Sequence, residues 1–248
     1  MFRTRGLRKD YPTGTAVHDL DLDVGAGEIV GLLGPNGAGK TTTLRMLTTL
    51  LRPTAGTATI AGADLLEDPA GVRRRIGSVA QGGSTDPSCT VDEELVLQAR
   101  LHGFGRRAAR ERAEDLAAEF ELDAALPTGQ LSGGQRRRLD LALGLVNRPV
   151  VLFLDEPSVG LDPRSRASLW TQVRKVRDAG TTIVLSTHYL DEADACCDRV
   201  VLIDAGRVVA DDTPQQLKRQ VGGDQPSLDA VFLALTNSTS MPAAKATS

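Results

Sequence analysis

"IVGLLGPNGAGKTT", Ile29 to Thr42, is the stretch from which the rest of the chain can be read. Its first five residues are continuously apolar, the pattern of a strand covered on both faces. The next eight, Gly34 to Thr41, fit G-x-x-x-x-G-K-[ST] in the strand-loop-helix setting that this phosphate-binding loop requires. Gly34, Gly37 and Gly39 let the backbone wrap an anion, with Pro35, Asn36 and Ala38 completing the loop. The positive end of the following helix then faces the phosphates. Lys40 is placed to reach the β- and γ-phosphates of a nucleoside triphosphate, the Thr41 hydroxyl to ligate Mg²⁺, and Thr42 to continue the helix start. A chance glycine-rich turn would not bring Lys-Thr-Thr into register behind a buried strand.

Working outward, "VVLFL" (Val150 to Leu154) and "TIVLS" (Thr182 to Ser186) repeat the continuous apolar pattern and belong beside the first strand in a mainly parallel sheet. Asp155 leaves the end of such a strand, where open α/β sheets bind ligands, and is expected to hold Mg²⁺. Glu156, on the opposite side of the pleat, is expected to face the γ-phosphate as a general base. Two adjacent acids can also be solubilising residues, but desolvating them at a strand end is costly without a cation.

Near the N-terminus "AVHDLDLDV" alternates Leu20, Leu22 and Val24 with Asp19, Asp21 and Asp23, which predicts a half-buried antiparallel strand. Residues 91–147 show helical spacing and no convincing strand, an inserted helical subdomain. Asp162 and Pro163 mark a helix start, and Gly180 its stop. The predicted fold class is therefore α/β: a P-loop NTPase core with a mixed, mainly parallel sheet, an N-terminal antiparallel β subdomain and an inserted α-helical subdomain. Residues 1–221 form this unit, and 222–248 a short C-terminal helix followed by a disordered tail.

Composition narrows the function. The chain has 248 residues, 41% hydrophobic and 25% charged, with net charge −3, so a strongly basic nucleic-acid-binding domain is excluded and no nucleic-acid partner is expected. Arg73-Arg74-Arg75 and Arg136-Arg137-Arg138 read as solvated charge runs or partner contacts. No apolar run approaches the ~18 residues of a membrane span, and the first residues lack the apolar core of a signal peptide. Cys89, Cys196 and Cys197 have no metal-ligand spacing and are expected to be reduced.

"LSGGQ", Leu131 to Gln135, poses a separate question. Ser132 and Gln135 fit a capping box, but Gly133 and Gly134 weaken a helix start by roughly 0.5–1 kcal/mol each relative to alanine. With the P-loop, "LSGGQ" and "VVLFLDEP" in this order, the chain resembles the nucleotide-binding domain of ATP-binding cassette (ABC) transporters over about residues 7–217. The resemblance implies ATP and Mg²⁺ as ligands, and a head-to-tail pair of such domains as a homodimer, the partner being a second identical copy. Ser132, Gly133, Gly134 and Gln135 of one copy would bind the γ-phosphate held on the P-loop of the other. It further implies adenine stacking on Tyr11, contact of Gln81 with Mg²⁺ or the attacking water, and a γ-phosphate contact from His188. Ser158 to Asp162 would cross to the partner, with Val159 where a small or hydroxylic residue is expected. His18 and His102 carry no such implication.

The same resemblance implies a separate integral membrane permease, docked on the helical insert and the segment after Gln81, and a place at the cytoplasmic face of the membrane. The tail "PSLDAVFLALT" is similar to the end of daunorubicin-resistance-type drug exporters, which implies export of drugs or other amphipathic compounds. An importer ATPase, or a soluble cassette ATPase acting on ribosomes or DNA, is the alternative.

Overall fold

The computed structural model describes residues 1–83, 85–221 and 227–239. In chain order the elements are β1 (Phe2–Tyr11), β2 (Gly14–Val24), β3 (Ile29–Leu33), α1 (Lys40–Leu47), β4 (Ala55–Ile60), β5 (Ala63–Asp64), α2 (Pro69–Arg75) and β6 (Ile76–Val79). Then follow α3 (Val91–Leu101), α4 (Arg106–Glu119), α5 (Gly133–Gly144), β7 (Val151–Asp155), α6 (Pro163–Asp178) and β8 (Thr182–Thr187). The chain continues through α7 (Leu190–Cys196), β9 (Arg199–Asp204), β10 (Arg207–Asp212), α8 (Pro214–Val221) and α9 (Leu228–Thr239).

Two sheets result. One is antiparallel, in the order β2-β1-β4-β5, and the other runs β10-β9-β3-β8-β7-β6. All pairs of the second are parallel except β10 with β9. The continuous apolar runs behave as their patterning requires. In β3, Ile29 and Leu33 enter the core on one face, with the helical layers, while Val30 and Leu32 enter the other, beneath the antiparallel sheet. β7 divides likewise, Leu152 and Leu154 against Val151 and Phe153. A strand that buries side chains on both faces has no polar positions to alternate, which is why its sequence is unbroken.

The order β3-β8-β7 fixes the site. Leu33 pairs with Thr187, and Asp155 with Ser186, so the carboxyl ends of three adjacent parallel strands open on one edge. The loop after β3, the acids Asp155 and Glu156 at the end of β7, and His188 after β8 emerge there together.

Residues 91–147 contain α3, α4, a short 3₁₀ turn at Thr128–Gln130 and α5, with no strand among the named elements. Asp162 caps α6 through the amides of Arg164 and Ser165 at 2.9 and 3.1 Å, and Pro163 is its first residue. β4, β5 and β10 were not legible: they are short or lie toward the sheet edges, where patterning is weak. The apolar piece Leu228 onward is helical, whereas residues 222–226 and 240–248, where a disordered tail was expected, lie outside the described residues. The three cysteines are free, Cys197 buried, and burial raises its thiol far above the ordinary value. Among the described residues no helix is long and apolar enough to cross a membrane.

Candidate functional site

The P-loop owes its shape to close backbone approaches. Gly39 has φ 100°, and a Cβ there would stand 2.5 Å from the carbonyl oxygen of Ala16. At Gly34 a Cβ would fall 2.1 Å from the Ile203 carbonyl oxygen, so neither position admits a side chain. Lys40 is only 4% exposed. Its ammonium donates to the carbonyl oxygens of Gly34 and Pro35 at 2.7 and 3.0 Å and lies 3.9 Å from Glu156 Oε1. Burial lowers the Lys40 pKa, opposed by the carboxylates of Glu156 and Asp155.

Asp155 accepts from the Thr41 hydroxyl at 3.0 Å and from Ser186 at 2.6 Å through one oxygen, Oδ1. These are hard oxygen donors side by side at the P-loop, a set that suits Mg²⁺. Among the described residues there is no cluster of three or more His, Cys, Asp or Glu able to hold a metal alone. Mg²⁺ does not need one, because it is commonly held by one or two protein oxygens with substrate phosphates and water supplying the rest.

Glu156 does not continue the pleat of β7. Its φ is +46°, the left-handed region that a non-glycine residue enters at a cost of roughly 1–2 kcal/mol. This turn, rather than strand alternation, separates its side chain from that of Asp155. The strained backbone is held by its N–H, which donates to Ser186 Oγ at 2.9 Å and to the Ser186 carbonyl at 3.2 Å. The carboxylate collects three of the expected residues: Gln81 Nε2 donates to Oε2 at 3.0 Å, His188 Nδ1 stands 3.3 Å from Oε1, and Lys40 is the third.

A cleft of about 380 Å³ opens on this constellation, walled by Asn36, Gly37, Gly39, Lys40, Thr41, Thr42, Gln81 and Glu156 together with Ala16. Tyr11 is not among its lining residues. It is 39% exposed in the β1–β2 hairpin, the same strand pair that brings Ala16 to the cleft, with the Lys9 ammonium 5.5 Å from its ring centre.

Ser132, Gly134 and Gln135 line a different cavity, of about 340 Å³, beside Arg164 and Ser165; it shares no residue with the P-loop cleft. The capping box is complete: Gln135 N–H donates to Ser132 Oγ at 3.3 Å, and Ser132 N–H donates to Gln135 Oε1 at 2.9 Å. The two glycines differ. A Cβ on Gly134 would stand 2.7 Å from Ser165 Oγ, so that glycine has a packing reason within the chain. A Cβ on Gly133 would meet nothing within 4 Å.

The reading of Arg136 to Arg138 as a solvated run fails at its middle residue. Arg137 is 6% exposed and paired with buried Asp140 at 3.3 Å. The signal was present: Arg137, Asp140, Leu141, Gly144 and Leu145 occupy the i, i+3, i+4, i+7, i+8 stripe that a helix buries. Ser186, which orders both acids, was also missed. It is a polar residue at the carboxyl end of a buried strand, two positions before His188. His18 contacts Arg207, and His102 contacts Gln98, each at 3.4 Å, and neither lines the cleft.

The family model for ABC transporters matches residues 17–159. The chain is 52% identical to the daunorubicin/doxorubicin resistance ATP-binding protein DrrA of Streptomyces peucetius over 89% of this chain and 68% of that protein. It is 43% identical to the Nod factor export ATP-binding protein I of Burkholderia orbicola, over 89% of this chain and 73% of that one. The solved structure of an ATP-binding subunit of an ABC transporter superposes with TM-score 0.84 at 30% identity, covering 95% of this chain and 99% of that chain. A dimeric ATP-binding cassette in a post-hydrolysis state with ADP and Pi superposes with TM-score 0.77 at 27% identity, covering 86% and 98%. The chain belongs to the ABC transporter family, as an ATPase of the kind that forms the family's ATP-binding subunit.

Proposed function

We propose that this ATPase drives export of drugs or other amphipathic compounds through a separate membrane permease, as a pair of identical copies at the cytoplasmic face of the membrane. The observation that carries the reading is the division of the site residues between two cavities of one chain. Neither cavity alone holds both the P-loop and the exposed start of α5, and a head-to-tail pair would join them twice. The names of the resistance and export relatives support the direction of transport.

In this reading residues 1–221 are the cassette, with residues 91–147 as its helical subdomain and residues 222–248 as an appendage. The P-loop amides and Lys40 bind the phosphates, and Tyr11 stacks on adenine. Thr41 and Asp155 would hold Mg²⁺, with Gln81 beside them; the ion supplies neutralisation of phosphate charge. Glu156 accepts a proton from water as the water oxygen bonds to the γ-phosphorus and the bond to the ADP oxygen breaks. Gln81 and His188 fix the carboxylate and monitor the γ-phosphate. Ser132 and Gly133 of the partner copy present a helix N-terminus to the same phosphate, while exposed Val159 faces across the pair. Closure is favourable because ATP bridges two surfaces, and hydrolysis removes the bridge.

The permease contact is assigned to the groove of about 240 Å³ beside Gln81, where Leu50 is exposed, and to exposed Leu97 and Leu101 on α3. Affinity purification from membranes tests the whole reading. It should recover an integral membrane protein, and expression of the pair should lower cellular accumulation of an amphipathic drug only when Lys40 is intact. Recovery of ribosomes or of salt-sensitive DNA binding instead would overturn it.

A further inference from the structure

Arg137 reaches from α5 to the turn that carries Glu156. Its Nη2 donates to the Glu156 carbonyl oxygen at 3.0 Å, its Nε to the Pro157 carbonyl oxygen, and its Nη1 to the carbonyl oxygen of Ala80 at 3.4 Å. Ala80 immediately precedes Gln81, so one guanidinium holds the backbone on both sides of the Gln81–Glu156 hydrogen bond. Asp140, one turn further along α5, accepts from the same Nη1 at 3.3 Å and is buried with it. Burial lowers the Arg137 pKa and raises that of Asp140, each opposed by the other, as expected of an ion pair kept for its geometry despite desolvation.

The planar fork of donors matters. Glu156 sits at φ +46°, and its carbonyl oxygen accepts from the Val159 N–H at 3.3 Å as well as from Nη2, so the guanidinium adds a second donor that holds this strained turn. A lysine could supply charge beside Asp140, but its single nitrogen could not span the three separate carbonyls that Nε, Nη1 and Nη2 reach. The same helix is capped by Ser132, so its N-terminus and the residue that grips the Glu156 turn are linked by just over one turn of helix.

We infer that Arg137 is a positioning residue for hydrolysis: it holds the Glu156 and Gln81 backbones in their working orientation and ties them to the helix whose N-terminus serves the partner's nucleotide. This rests on the assignment of Glu156 as the base.

The test compares Arg137→Gln, Arg137→Lys and Glu156→Gln in the full chain, measuring kcat, KM for ATP, melting temperature and ATP-dependent dimerisation. Arg137→Gln should lower kcat about 10- to 100-fold, the cost of a modest misplacement of a reacting group, with KM little changed. Its slowed turnover should let an ATP-dependent dimer accumulate, and Arg137→Lys should recover part of kcat. On a Glu156→Gln background, Arg137→Gln should slow hydrolysis no further, because both act through one group. A kcat within twofold of wild type would overturn the inference. So would loss of ATP-dependent dimerisation together with kcat, which would mean that α5 itself had shifted. If Arg137→Gln does not fold, Arg137→Lys decides: wild-type kcat refutes the role, and an intermediate kcat at unchanged melting temperature supports it. Wild-type turnover by Glu156→Gln would instead sink the base assignment beneath it.

Discussion

The side-chain amide of Gln81 donates to Glu156 Oε2 at 3.0 Å, joining residues 75 positions apart in the chain. One arrives from the end of β6 and the other from the end of β7, neighbouring parallel strands, so the bond joins two adjacent strand ends at the cleft. Any displacement of Gln81 at the end of β6 is thereby coupled to the carboxylate that lines the cleft.

Glu156→Gln keeps the turn, the size and a hydrogen-bonding partner for Gln81 but cannot accept a proton. Phosphate release should fall about 10²- to 10⁴-fold, the usual worth of general-base catalysis, with nucleotide binding retained. Equilibrium binding of a fluorescent ATP analogue alongside a phosphate-release assay separates the two.

Asp155→Asn leaves Thr41 and Ser186 with a neutral partner in place of a carboxylate. The Mg²⁺ concentration for half-maximal ATPase activity should rise at least about tenfold, as for other losses around a metal site. An unchanged Mg²⁺ titration would remove Asp155 from the metal.

Gly133 and Gly134 should respond oppositely to alanine. Gly133→Ala meets open space, so the monomer should hold its melting temperature or gain up to about 1 kcal/mol, yet ATP-dependent dimerisation should fail if the partner's phosphate approaches there. Gly134→Ala crowds Ser165, whose hydroxyl is already committed to Asp162 at 2.5 Å, and should destabilise the monomer by about 1–3 kcal/mol. Thermal melts of both variants, with and without ATP, distinguish a packing glycine from an interface glycine.

Buried Glu192 accepts from the Ser158 hydroxyl at 2.6 Å and lies 3.3 Å from Arg166. Burial raises its pKa above the ordinary 4.5, with Ser158 and Arg166 opposing. The folded state thus binds this proton more readily than the unfolded one, so the stability Glu192 contributes is fully present below about pH 4.5 and is lost as pH rises through the folded value. The melting temperature of Glu192→Gln relative to wild type should therefore increase between pH 4 and pH 7. A difference that shrinks over that range would show that the Arg166 pair outweighs desolvation.

What the sequence disclosed, it disclosed where local physics dictates local structure. Gly34 to Thr41 could be placed because glycine spacing and a buried strand admit few alternatives, and the Ser132 and Asp162 caps because each is a contact within three residues. Arg137 was hidden by its neighbours Arg136 and Arg138: a triplet of arginines reads as surface unless the helical stripe through Asp140 and Leu141 is followed. Ser186, the left-handed turn at Glu156 and the clash that explains Gly134 depend on strand register and helix packing, which no local pattern encodes. That the P-loop and the start of α5 occupy separate cavities is likewise a fact of the folded chain.

The central claim, that each nucleotide site is completed by a second copy, is tested most directly by the solution mass of Glu156→Gln in the presence of Mg²⁺ and ATP. The account predicts a dimer that retains one nucleotide per copy, forms only with ATP and is abolished by Ser132→Arg. A monomer that binds ATP tightly and stays monomeric at saturating nucleotide would contradict it.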